Sequence, residues 1–96
     1  AAAAGEKLWE LPLLDEYKEH IKSEVADIKN VGNREAGSII GGLFLKEFIE
    51  DTPWVHLDIA GVDLVEKEKG ILVKGSSGIP VRTLVNLALA LAEDPL

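Results

Sequence analysis

Trp54-Val55-His56-Leu57-Asp58-Ile59-Ala60-Gly61 decides the architecture of this chain, because its apolar residues follow a different period from the stretch before it. Val55, Leu57 and Ile59 alternate with Trp54, His56, Asp58 and Ala60, the two-residue repeat of a buried strand. Asp51-Thr52-Pro53 ahead of it stops a helix, since proline has no N–H to give and restricts the residue before it. The stretch before it repeats every three or four residues instead. A strand between helices predicts the α/β class.

Working back towards residue 1, Ala36, Ile39, Ile40, Leu43, Phe44 and Phe48 give one face of a helix running to about Glu50. Val31-Gly32-Asn33 is the turn before it, with Asn33 placed as N-cap. Gly37, Ser38, Gly41 and Gly42 lie in the same helix, and an interior glycine costs about 1 kcal/mol against alanine. Close approach of a neighbouring element offsets that cost; the other account is that the glycines open room for a ligand. Further back, Leu13, Leu14, Tyr17, Ile21 and Val25 form a stripe at helical spacing after Pro12, with Asp15 and Glu16 in the dipole-favoured first turn. This helix is predicted to end near Ser23 or Glu24, and Val25-Ala26-Asp27-Ile28 fits a short strand equally well.

Beyond the strand, residues 63–74 mix Asp63, Glu66, Lys67, Glu68, Lys69 and Lys74 around Gly70, the composition of a solvated loop. KGSSGIPVRTLV, residues 74–85, then runs a Gly/Ser loop into Pro80 at the start of a helix. Free N–H groups at such a start can bind an anion. Lys74 nevertheless leads the loop, whereas a phosphate-binding P-loop ends on Gly-Lys-Ser/Thr. A plain strand-to-helix connection is the simpler reading. The last helix, Pro80 to about Ala92, carries Val81, Leu84, Val85, Leu87, Leu89 and Leu91 on nearly every side. A helix apolar all round is buried all round, so it calls for protein mass that these residues do not supply.

His56 and Asp58 share one strand face, which suits either a metal or a hydrogen-bonded pair holding adjacent loops. Two ligands are fewer than a metal needs, so the second reading is preferred. Ninety-six residues, 47% hydrophobic and 28% charged, provide for one small core. There is no cysteine, hence no disulfide framework and no Cys-based zinc module. A net charge of −7 repels phosphate backbones, so nucleic acid is not an expected partner. No apolar run is long enough to span a bilayer, and the front of the chain has no signal-peptide pattern. Methionine is absent as well, as expected of a piece of a longer polypeptide; removal of an initiator methionine is the other account.

Taken in order, GEKLWELPL (5–13), SEVADIKNVG (23–32), GGLFLKEF (41–48), HLDIAG (56–61) and GSSGIPVRTLV (75–85) resemble the C-terminal end of the leucyl aminopeptidase (cytosol aminopeptidase) family. The resemblance covers nearly all of the chain after Ala4. It implies a partial piece of a larger αβα catalytic domain, with helices packed on a mixed sheet. It implies a parent hydrolase that removes N-terminal residues from peptides with two divalent metal ions, zinc or manganese, which polarise the carbonyl and activate a bridging water. The family's Asn-Thr-Asp-Ala-Glu-Gly-Arg segment, with two metal carboxylates and an arginine, is not in these 96 residues, so no catalytic or metal residue is carried over.

The residues that do carry over are pocket walls. Val31 matches a position lining the pocket for the residue after the scissile bond, and Ala60 a small residue bordering the pocket for the N-terminal side chain. Asp63 falls where some members place an apolar side chain against that second pocket; it either points away or favours a different first residue. The resemblance further implies peptide substrates, a homo-oligomer (a hexamer), and a cytoplasmic location without membrane attachment. The chain alone is expected to be inactive; a non-catalytic binding or assembly module built on the same fold is the alternative.

Overall fold

The computed structural model describes residues 1–96. They form a 3-10 helix (Asp15–Ile21), helix α1 (Gly37–Lys46), strands β1 (Leu64–Val65) and β2 (Gly75–Ser76), and helix α2 (Val81–Glu93). Helices with a small sheet give the α/β character read from the sequence. The sheet is a two-stranded antiparallel one. Contacts group these elements into two compact units, residues 10–57 and residues 1–9 with 58–96.

In the 10–57 unit the apolar stripe after Pro12 does fold as a helix, but a short one. It has seven residues of 3-10 geometry, because so few residues cannot nucleate and hold a stable α-helix. The helix stops at Ile21, two residues before the predicted end. The Ser23 hydroxyl then accepts the N–H groups of Val25 and Ala26, at 3.2 and 3.1 Å, and draws the chain into a turn. Val25, placed in that helical stripe, is therefore 97% exposed, and residues 25–28 form neither helix nor strand.

Helix α1 starts four residues after Asn33. Ala36 takes the capping place in the left-handed region (φ 52°), while the Asn33 amide lies 3.4 Å from His20 Nδ1 and caps nothing. Ile40 and Leu43 pack with Ile21 as the buried core, joined by Tyr17 and Ile39. Lys18 ties the 3-10 helix to the end of α1 through Glu47 at 2.8 Å, and that carboxylate holds its ammonium above the usual lysine range. Phe48 is exposed but sets its ring edge-on to Phe44 at 5.2 Å.

The glycines of α1 divide by environment. A Cβ on Gly42 would stand 3.2 Å from Leu13 and 3.6 Å from His56, so here close approach accounts for the residue. Gly37 and Gly41 face open space.

Trp54–Gly61 forms no strand. A strand exists through a hydrogen-bonded ladder, and no segment of this chain pairs with it. The predicted alternation survives in part, since the Trp54 and His56 rings stack at 6.2 Å on a common side.

In the other unit, the segment read as a solvated loop is a hairpin. Leu64 pairs with Ser76 and Val65 with Gly75, and the tip closes by reciprocal 3.0 Å bonds between Lys69 and Leu72 around Gly70, whose φ of +60° suits glycine. Helix α2 starts after Pro80 as read. None of its residues is buried: Leu84, Leu87 and Leu89 are 48, 51 and 62% exposed. The expected burial on all sides is not met by this chain's own residues.

Substitutions at two glycines should separate these environments. Gly41→Ala adds a methyl to open space in a helix and should raise stability by about 0.5–1 kcal/mol. Gly32→Ala would place its methyl 2.8 Å from Ile40 Cγ2, a side chain with 3% exposure, and should cost about 1–3 kcal/mol. Urea denaturation midpoints of the two variants should move in opposite directions.

Candidate functional site

Val31 stands at the edge of a shallow cavity of about 130 Å³, lined by Asn30, Gly32, Asn33, Gly37, Ile40 and Gly41. Its side chain is 70% exposed. The missing Cβ atoms of Gly37 and Gly41 leave the α1 side of that cavity open.

Ala60 and Asp63 belong to the other unit, in and just after one turn. The Asp58 carboxylate accepts the Ala60 N–H at 3.0 Å, and the Val62 N–H donates to the Ile59 carbonyl at 3.0 Å. Both Ala60 and Asp63 are exposed. The Asp63 carbonyl accepts the Ser77 N–H at 2.8 Å, which joins this turn to the loop before α2. The His56 ring stacks on Trp54, and the Asp58 carboxylate accepts the Ala60 N–H.

The start of α2 does hold an anion, and it is the chain's own. Glu6 Oε2 accepts the Thr83 N–H at 2.9 Å and the Thr83 hydroxyl at 2.6 Å, while Oε1 accepts Arg82 Nε–H at 3.4 Å. The Glu6 side chain is 5% exposed. The Thr83 hydroxyl holds its carboxyl below the usual glutamate range; burial opposes this, and the Thr83 N–H and Arg82 add to the lowering. Sequence reading found the helix start but missed all three residues. The available signal was an acidic residue able to complement a helix N-terminus, and a sequence separation of 76 to 77 residues hides such a pairing.

No group of three or more His, Asp or Glu side chains is placed to hold a metal ion. A metal pair therefore does not fit the residues of this chain. No helix is long and apolar enough to cross a membrane.

Residues 1–85 match the cytosol aminopeptidase family, catalytic domain. A probable cytosol aminopeptidase of Alkaliphilus metalliredigens is 56% identical over 90 residues, which is 94% of this chain and 18% of the relative. Those of Solibacter usitatus and Syntrophobacter fumaroxidans are 58% and 57% identical over 85 and 89 residues, again 18% of each relative. The chain belongs to the cytosol aminopeptidase family. It spans 18% of the length of these curated relatives.

Glu6 stabilises the α2 start more when ionised than when protonated. Its folded pKa is depressed, so the contribution is present above the ordinary carboxylate pKa and lost as pH falls through the lowered value. Hydrogen exchange should show the Thr83 amide protected at neutral pH and losing protection in acid before the amides of mid-α2. Glu6→Gln should weaken that protection at neutral pH.

Proposed function

We propose that residues 1–96 are the C-terminal part of the catalytic domain of a metal-dependent leucyl aminopeptidase, which releases N-terminal amino acids from peptides. The observation that carries this reading is identity of 54–58% across most of the chain to cytosol aminopeptidases about five times its length. On this reading the segment supplies walls and packing surfaces, and the rest of the domain supplies the reacting groups. The two divalent ions, zinc or manganese, would be held upstream; no step involving them falls to these residues.

Val31 and Ala60 are the walls. A leucine-sized side chain gains affinity by leaving water for apolar surface, at about 25 cal/mol per Å² buried, and small apolar residues leave it room to enter. Asp63 places a carboxylate beside the Ala60 pocket and would bias the choice of first residue. The exposed apolar surface of α2, with Leu84, Val85, Leu87 and Leu89, is a packing face for the remainder of the domain. The parent enzyme is read as a cytoplasmic homohexamer acting on peptides.

Cleavage of a leucine anilide tests this. The 96-residue chain with added zinc or manganese should give no turnover, and the full-length protein should give turnover that a chelator abolishes. Turnover by the short chain would sink the proposed division of labour. A full-length protein inert with either metal would favour a non-catalytic assembly module instead.

A further inference from the structure

We propose that Glu6 is a positioning residue for the substrate pocket, setting the Ala60–Asp63 wall through the first turn of α2. The inference rests on the pocket role proposed above for Ala60 and Asp63. Its physical basis is a run of hydrogen bonds within one unit, from Glu6 to the carbonyl of Asp63.

The run starts with three donors, the Thr83 N–H, the Thr83 hydroxyl and Arg82 Nε–H, converging on one carboxylate. Three donors from adjacent residues fix both the position and the rotation of the first turn of α2. That turn continues backwards without a loose link. The Val81 N–H donates to the Gly78 carbonyl and the Leu84 N–H to the Pro80 carbonyl, each at 2.9 Å. The Ser77 hydroxyl accepts the Ile79 N–H at 3.3 Å, and the Ser77 N–H donates to the Asp63 carbonyl at 2.8 Å. Next to that bond, Leu64 pairs with Ser76 in the β1–β2 ladder. The Ala60–Asp63 turn is thus fastened at its far end to a loop whose own end is set by Glu6.

Glu6 depends on this contact in turn. The backbone N–H groups of Ala4, Gly5 and Glu6 return to the carbonyls of Ala1 and Ala2, within their own segment. The carboxylate reaches out of that segment to α2, and it is the unit's one buried residue. No hydrophobic side chain is buried in this unit to hold the turn in register if the carboxylate is lost. A shift of the wall then alters which first side chains fit.

The test uses the full-length aminopeptidase of which the chain forms part, assayed on dipeptides beginning with Ala, Leu or Phe. Glu6→Ala should change the ratio of kcat/KM between Leu and Ala substrates by about tenfold, chiefly through KM, as misplacement of a binding wall does. Glu6→Gln keeps a carbonyl oxygen for Thr83 and should recover most of the ratio. Thr83→Val, which removes only the hydroxyl donor, should shift it in the same direction as Glu6→Ala and serves where Glu6→Ala does not fold. Ala60→Leu checks the pocket itself and should change the ratio by about tenfold or more. A ratio indifferent to Ala60→Leu would overturn the pocket reading and the positioning role together. A ratio that responds to Ala60→Leu but stays at the wild-type value in the Glu6 and Thr83 variants, with only Tm lowered, would leave the pocket standing and reduce Glu6 to a structural staple.

Discussion

The Glu6 carboxylate, closed over by Thr83 and Arg82, is the contact on which the unit of residues 1–9 and 58–96 depends. Small domains are ordinarily held by burial of apolar side chains, each worth about 1.5–3 kcal/mol. This unit buries none; its single buried residue is charged. A buried carboxylate is tolerated only when its oxygens are satisfied, and here the helix start supplies donors that would otherwise need water. Hydrogen bonds also order the rest of the unit, through helix α2, two ladder pairs, the closed hairpin tip, the Ser77 to Asp63 link, and the Asp58 and Ser77 side chains.

The 10–57 unit is held differently. Ile21, Ile40 and Leu43 exclude water almost completely, and Gly42 lets Leu13 and His56 come close to α1. A methyl added at Gly32 or Gly42 would press on these packed side chains, whereas one at Gly41 would meet open space. The Lys18–Glu47 pair adds a polar strut at the surface. An exposed pair of this kind is worth little by itself, and its effect is to join two short helices that share few other polar contacts.

What could be read from the sequence divides along the same line between local and distant causes. The α2 start at Pro80 and a helix built on Ile39, Ile40 and Leu43 were legible, because spacing and proline act on adjacent residues; the turn read at Val31-Gly32-Asn33 falls instead at Glu35 and Ala36. The N-cap was misassigned to Asn33 because a capping residue type says nothing of rival partners, and His20 stands beside its amide. The strand at Trp54–Gly61 was read from a true alternation, yet a ladder needs a second segment that no period reveals. Glu6 was invisible for the same reason: its partners lie 76 and 77 residues away. Among the candidate walls, Val31 lies on a cavity, and Ala60 and Asp63 lie in and beside a turn. The part in binding proposed for them rests on family resemblance and not on any local pattern.

A segment without reacting groups can still govern which substrates react. Rate depends on what is stabilised only in the transition state, and in the proposed enzyme that charge work belongs to metals and donors outside these residues. Discrimination between first residues is a separate quantity, a difference in apolar fit worth about 1–3 kcal/mol per methylene. It requires walls that hold their place, and the Ala60–Asp63 wall has no hydrophobic core beneath it within its own unit. A satisfied carboxylate at a helix start meets that need in a way exposed apolar residues cannot, since hydrogen bonds are directional and apolar contacts are not. The acidic residue farthest in sequence from the wall is therefore the one that constrains it.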